Sequence, residues 1–140
     1  MSFLLDTNVL SELRKGPQAD LNVRAWDEST RHSVRFTSVV AIAELRKGAL
    51  AKARRDAAGG AALGRWVGRV IASFEDRILP VDLQVAEAWA ALMVPNPRSP
   101  LDALIAATAR AYGLTLVTRN VRHFAECGVN LVDPWSYVQE

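Results

Sequence analysis

The sequence has 140 residues, half of them apolar and 23% charged, which suits one compact domain over residues 1–140. It contains one cysteine, Cys127, and two histidines, His32 and His123, so a disulfide framework or a Cys/His zinc site within one chain is excluded. No apolar run approaches the roughly 20 residues that span a bilayer, and no basic region precedes the apolar start. These features predict a soluble cytoplasmic protein, without membrane association, in which oxygen atoms hold any metal ion.

The net charge is only +2, but the basic residues are distributed unevenly. Seven of them lie between Arg46 and Arg69, where Asp56 is the single acid. This excess of positive charge predicts a surface that contacts phosphate groups, with Arg54 and Arg55 as candidate substrate contacts. An exposed helix face that serves only solubility explains the same charges equally well.

Short apolar runs alternate along the chain with stretches in which apolar residues recur at helical spacing. Strands are predicted at residues 3–5, 34–37, 77–81, 115–117 and 130–132. Helices are predicted over residues 9–13, 21–26, 39–50, 63–74, 85–92 and 100–112. Strands that alternate with helices favour a parallel sheet covered on both faces. The sequence therefore predicts a three-layer α/β/α domain whose central parallel sheet has four to five strands, the last of them at an edge.

Three short motifs predict where helices begin. Ser38 is placed to cap the helix after the second strand. The glycine pair at 59–60 is predicted to separate two helices of a hairpin. Ser99, Pro100 and Asp102 have the pattern of a capping residue, a first-turn proline and the acid of a capping box.

Three acids and one amide are predicted to lie at one edge of the sheet, where parallel sheets bind their ligands. Asp6 ends the first strand, Glu44 is one turn into the helix after the second, Asp102 begins a helix, and Asn120 follows the fourth strand. Singly, each acid has an ordinary explanation as a helix cap or a solvated side chain. Together they would repel one another unless a cation lay between them. Mg²⁺ or Mn²⁺ suits such a site, and either ion supports phosphoryl chemistry.

Other enzyme classes fit the sequence poorly. A phosphatase that forms an aspartyl-phosphate normally needs a second acid two residues after the first, where this chain has Asn8. The glycines at 59–64 follow a helix and lack the Lys-Ser/Thr of a phosphate-binding loop. Neither histidine accompanies a nucleophile elbow of a serine hydrolase.

Four segments in order carry a family resemblance: LLDTNVLSE at 4–12, SVVAIAEL at 38–45, DALIAA at 102–107, and LVTRN at 116–120 with Phe124. They resemble the motifs of PIN-domain ribonucleases, closest to the VapC toxins of bacterial toxin–antitoxin pairs. The resemblance extends from residue 3 to about residue 135. It implies a PIN-like fold and a hydrolase, a metal-dependent endoribonuclease that cleaves RNA phosphodiester bonds with a metal-activated water. The alternative is a catalytically weak or inactive module of the same fold that binds RNA or a protein.

The resemblance also assigns roles to individual residues. It implies that Asp6, Glu44 and Asp102 bind Mg²⁺ or Mn²⁺, and that Asn120 and Thr118 complete the catalytic site. Many family members carry Asp where this chain has Asn120, which brings no charge to a second metal ion.

Three further residues are candidates for supporting roles. Arg119 is predicted to contact the scissile phosphate and Thr7 to position water. Glu12 is predicted either to contact the metal ligands or to be an ordinary exposed helix residue.

By the same resemblance, the partners are an RNA substrate and a VapB-like antitoxin that blocks the acidic site with a basic side chain. A homodimer, or a heterotetramer with two antitoxin chains, is implied. A groove for an amphipathic antitoxin helix is predicted beside the hairpin of residues 39–74, unless the same side chains simply complete the core. The apolar side chains concerned are Leu10, Leu13, Leu21, Val23 and Trp26.

Overall fold

A computed structural model describes residues 1–139 of the chain. The strands are β1 (Ser2–Leu5), β2 (Val34–Ser38), β3 (Ile78–Leu79), β4 (Thr115–Val117) and β5 (Leu131–Val132). The helices are α1 (Thr7–Leu13), α2 (Leu21–Ser29), α3 (Val39–Ala53), α4 (Ala57–Phe74), α5 (Leu83–Met93), α6 (Pro100–Ala111) and α7 (Val121–Phe124). Short 3₁₀ turns lie at Gly16–Gln18 and Pro134–Ser136. Within these residues no helix has both the length and the apolar composition needed to cross a membrane.

The described strands form one parallel sheet in the order β3-β2-β1-β4-β5, which confirms the predicted fold class. Leu4 of β1 pairs with Phe36 of β2 on one side and with Leu116 of β4 on the other. The chain runs outward from β1 to β3 and then returns to the opposite side of β1. The order therefore reverses between β1 and β4, which is where a parallel sheet opens a ligand-binding crevice.

Both edge strands are shorter than the sequence predicts, with two residues each. Pro80 follows β3 directly and has no backbone N–H for the ladder. Short edges of this kind limit pairing with other chains.

Side chains alternate across β1 and supply a core on each face of the sheet. Leu4 packs with Ile105 and Phe124 on the face covered by α5, α6 and α7. Leu5 packs with Val9 and Val67 on the face covered by α1, α3 and α4. The three layers follow from these two apolar clusters.

The predicted break at the glycine pair 59–60 is wrong, because both glycines lie in the first turn of α4. The chain turns earlier, and Asp56 caps α4 by accepting a bond from the Gly59 N–H at 2.9 Å. A Cβ on Gly60 would lie 2.4 Å from the Ala53 Cα, so the missing side chain lets α4 approach the end of α3. The glycines allow close helix packing rather than ending a helix.

The two predicted caps have different outcomes. Ser38 caps α3 as predicted, accepting a bond from the Ala41 N–H at 3.1 Å. Ser99 makes no such bond, so the predicted capping box is wrong, although Pro100 does occupy the first turn. Ser99 and Leu101 are exposed, so solvent can satisfy the first-turn groups.

Candidate active site

Asp6 lies at the carboxyl end of β1, beside the end of β4. Its backbone N–H donates to the Val117 carbonyl at 3.0 Å and continues the strand pairing. Its side chain caps α1 by accepting from the Thr7 N–H at 2.7 Å, and also accepts from the Thr118 hydroxyl at 2.8 Å. Asp6 is only 5% exposed, so it is both a helix cap and a buried acid.

Asn8 holds this junction together, a role that is not among those predicted from the sequence. Its Nδ2 lies 3.3 Å from Thr118 Oγ1 and 3.5 Å from Asp6 Oδ2. Its Oδ1 accepts from the Arg119 N–H at 3.2 Å. Asn8 therefore joins the loops that follow β1 and β4. The sequence signal for this role is the polar triplet Asp6-Thr7-Asn8 directly after the buried strand β1.

Glu44 projects from α3, the helix that Ser38 caps at the end of β2. The Thr7 hydroxyl donates to Glu44 Oε1 at 3.0 Å. Thr7 thus links the first helix to the second acid. This contact positions a carboxylate, which differs from the predicted role of Thr7 in positioning water.

The three acids influence one another at this edge. Burial raises the pKa of Asp6, and the charge of Asp102 raises it further, against the opposing hydrogen bonds from Thr118 and Thr7. Burial also raises the pKa of Glu44, with added effects from the charges of Asp6 and Asp102. The predicted acids therefore lie at one edge, where the charge of Asp102 makes ionisation of Asp6 and Glu44 less favourable.

Asp102 occupies the first turn of α6 and is more open than Asp6. Its Oδ2 lies 3.7 Å from His123 Nδ1, which forms an ion pair only when the imidazole is protonated. The donor set is entirely oxygen, as Mg²⁺ and Mn²⁺ prefer. As these side chains stand in residues 1–139, no three acidic, histidine or cysteine groups are close enough together to bind a metal ion. The oxygen donors of these acids therefore fit Mg²⁺ or Mn²⁺ in their chemistry.

The neighbouring polar candidates lie at the rim of this site. The Asn120 backbone N–H donates to Thr118 Oγ1 at 3.1 Å, and the residue itself is exposed. The Arg119 guanidinium lies over the Trp135 ring, 5.0 Å from its centroid. The Arg119 side chain is thus stacked on an aromatic ring, while its backbone N–H bonds to Asn8 in the loop that follows Asp6.

Arg54 and Arg55 are exposed at the turn between α3 and α4. Arg54 follows Glu44 by ten residues, which corresponds to about 15 Å along a helix. The structure therefore separates these two arginines from the acidic edge.

Glu12 is buried rather than exposed, so the prediction of an ordinary exposed residue is wrong. It accepts bonds from Lys15 Nζ and from the Asp20 N–H, both at 2.9 Å. The bond from Lys15 is the main cause of a lowered pKa at Glu12. Its bonds join α1 to the start of α2.

An apolar groove lies between α1 and α4, with a volume of about 310 Å³. Leu10 and Leu13 line it as predicted, opposite Trp66 and Phe74. The other three apolar residues predicted for this groove do not line it: Val23 and Trp26 are buried in the core, and Leu21 is 76% exposed elsewhere. The spacing of apolar residues along a helix does not show whether a given apolar face packs in the core or lines a groove. Three arginines also line the groove: Arg14, Arg35 and Arg77.

The fold and the site together define an α/β domain with carboxylates gathered at the switch point of a parallel sheet. Residues 3–129 match the PIN domain family. The chain is 34% identical over 137 residues to the VapC ribonuclease Y4jK of Sinorhizobium fredii, covering 94% of this chain and 96% of that protein. It is 33% identical over 137 residues to toxin FitB of Neisseria gonorrhoeae, covering 94% of this chain and 97% of that protein.

The crystal structure of FitAcB from Neisseria gonorrhoeae has a TM-score of 0.81 and 31% identity to this chain, and covers 96% of this chain and 99% of that one. This chain therefore belongs to the PIN-domain family, which confirms the resemblance carried by its four motifs.

Proposed function

We propose that this chain is a ribonuclease toxin of a toxin–antitoxin pair and that it depends on Mg²⁺ or Mn²⁺. The observation that carries the proposal is the unfavourable ionisation of the Asp6 and Glu44 carboxyl groups at one edge of the sheet. Burial and neighbouring carboxylates raise the pKa of both, despite hydrogen bonds that act in the opposite direction. A bound divalent cation would relieve this repulsion.

Asp6, Glu44 and Asp102 would hold the ion, which would activate a water molecule and stabilise charge on the phosphate. Thr118 and Asn8 fix the Asp6 carboxylate, and Thr7 fixes that of Glu44. These contacts reduce the reorganisation needed when substrate binds. Asn120 would complete the site at the position where many family members carry Asp, and it would add no charge there.

RNA is the proposed substrate because a relative that aligns along most of this chain is a VapC ribonuclease. Arg119 directly follows Thr118, which bonds to Asp6, and would contact the phosphodiester near the cleavage point. Arg54 and Arg55, about 15 Å from Glu44 along α3, would contact phosphates further along the strand. Such an enzyme would act on RNA in the cytoplasm.

The proposed protein partner is a VapB-like antitoxin. The apolar groove of Leu10, Leu13, Trp66 and Phe74 offers a site for an amphipathic helix, and its arginines favour acidic side chains on that helix. A basic antitoxin side chain that reached the three acids would replace the metal charge. A homodimer, or a heterotetramer with two antitoxin chains, is the proposed assembly.

The test combines RNA cleavage with growth. We expect purified protein to cleave RNA with Mg²⁺ or Mn²⁺ and to lose activity in EDTA. Asp6→Asn should abolish cleavage and growth arrest in a bacterial host, whereas the exposed control Asp76→Asn should retain both. Growth arrest by Asp6→Asn as well would favour the alternative, a module that binds RNA or protein without cleaving. Full cleavage after exhaustive chelation would refute the metal mechanism.

A further inference from the structure

A second cavity, with a volume of about 260 Å³, is lined by Asp102 but by neither Asp6 nor Glu44. It lies beside the start of α6 and next to α7. Its polar wall consists of Arg98, Ser99, Asp102 and His123. Phe124 and Cys127, each 1% exposed, supply an apolar floor. The proposed reaction uses neither Arg98 nor His123.

We propose that this cavity binds one unpaired guanine base of the RNA, on the nucleotide next to the scissile phosphate. The inference rests on the proposed ribonuclease function and adds a base preference to it. The pocket shares Asp102 with the acidic edge. A base seated there would therefore belong to a nucleotide whose phosphate lies near the three acids.

The size and floor of the cavity favour a base. Its volume is below the roughly 300–1,000 Å³ of pockets that enclose drug-sized ligands, so one ring system suits it better than a larger group. Phe124 and Cys127 offer the apolar contact that an unstacked base needs. His123 at the opening has a ring that can stack on the base.

The polar wall favours guanine over an isolated anion. Arg98 Nε is buried and has no hydrogen-bond partner among residues 1–139. A guanidinium pairs in a bidentate manner with two adjacent acceptors, as guanine presents at O6 and N7, whereas adenine places a donor beside N7. The carboxylate of Asp102 in the same wall would repel a free phosphate.

The two histidines of the chain make a direct test possible. His123 lines the cavity, while His32 is exposed between α2 and β2. In EDTA, titration with 5′-GMP should shift the NMR ring signals of His123 and leave those of His32 unchanged. AMP, CMP, UMP and inorganic phosphate should shift them less. Arg98→Ala should weaken the GMP response by about fivefold or more, and the exposed control Arg24→Ala should not.

Cleavage gives the second readout. On RNA that contains every dinucleotide step, the wild type should cut next to G, and Arg98→Ala should lose this preference while it still cuts. The base pocket is refuted if GMP leaves His123 unshifted, if phosphate alone shifts it equally, or if Arg98→Ala keeps the wild-type cutting pattern. A specific GMP shift in a protein that cleaves no RNA would refute the ribonuclease proposal but support the pocket.

Discussion

Thr118 donates its hydroxyl to Asp6 across the junction of β4 and β1, with 2.8 Å between Oγ1 and Oδ2 although 112 residues separate the two in sequence. The same oxygen accepts from Asn8 Nδ2 and from the Asn120 N–H. One donor and two acceptor positions are thereby filled, so the direction of the hydroxyl proton is fixed. The bond also opposes the effect of burial on the pKa of Asp6. Thr118 is therefore expected to keep Asp6 both in place and ionised.

Replacing Thr118 with valine should lower the free energy of unfolding by about 1–2 kcal/mol, since the buried Asp6 oxygen loses a strong donor. It should also raise the pKa of Asp6, so the acidic limb of the cleavage-rate profile should move to higher pH. Urea unfolding and pH–rate profiles measure the two effects. Thr108→Val is the matched control: this buried hydroxyl bonds to the Leu104 carbonyl and should not affect the pH profile. Equal pH profiles for Thr118→Val and the wild type would contradict the role.

Glu44→Gln should stabilise the metal-free protein at pH 7.5. The pKa of Glu44 is raised in the folded state, mainly by burial. Between the unfolded and folded pKa values the folded state binds more protons, so stability falls as pH rises through this window. The melting temperature of the variant in EDTA should be roughly 2 °C higher at pH 7.5. The difference should vanish below the unfolded pKa.

Scanning fluorimetry measures the melting temperatures of Glu44→Gln and the wild type, with Glu87→Gln on the exposed surface of α5 as control. Mg²⁺ should raise the melting temperature of the wild type more than that of Glu44→Gln, since a bound ion stabilises only the folded state. Destabilisation by Glu44→Gln in EDTA would contradict the electrostatic argument.

Asn120→Asp should add a negative charge to the proposed metal site, where many family members carry Asp. We expect tighter Mn²⁺ binding by calorimetry and cleavage at least as fast as in the wild type, while Asn120→Ala should reduce cleavage less than Asp6→Asn does. The control Asn130→Asp places the same charge at an exposed position before β5. If both aspartate variants bind Mn²⁺ equally, Asn120 is not at the metal site.

Reversing the charges of Arg54 and Arg55 should weaken RNA binding for all sequences alike. The salt dependence of the logarithm of the binding constant should flatten by roughly 1.4, since each phosphate contact to a single strand contributes about 0.7. Cleavage at saturating RNA should change little, because these residues lie away from the acids. The matched control reverses the charges of Arg24, in α2, and of Arg31, just after it. An unchanged slope would mean that Arg54 and Arg55 are simply solvated.

Two glycines of α4 should respond in opposite directions to alanine. Gly60→Ala would place its Cβ against the Ala53 backbone, and such overpacking typically costs about 1–3 kcal/mol. A Cβ on Gly68 would meet nothing within 4 Å, so Gly68→Ala should stabilise the helix by about 0.5–1 kcal/mol. Denaturant unfolding of the two variants distinguishes close packing from simple helix propensity.

The sequence by itself determined the alternation of strands and helices, because apolar spacing reports which faces are buried. It also predicted that Asp6 ends the first strand, that Glu44 lies within the helix after the second strand and that Asp102 lies in the first turn of a later helix, as β1, α3 and α6 show. The prediction that they share one edge followed from the rule that parallel strands bring their carboxyl ends together. Ser38 was predictable as a cap because its bond to Ala41 is local. These features depend on neighbours in the chain or on rules shared by all parallel sheets.

Only the tertiary structure decided which distant groups meet. The bonds that Thr118 makes to Asp6 and to Asn8 join residues more than a hundred positions apart, so no local pattern contains them. The glycine pair at 59–60 resembled a break, but contact with Ala53 makes it a packing surface. Leu21 and Trp26 share one helix, yet one is exposed and the other is buried. Close contacts between separate elements depend on how those elements pack, which residue spacing along one chain does not specify.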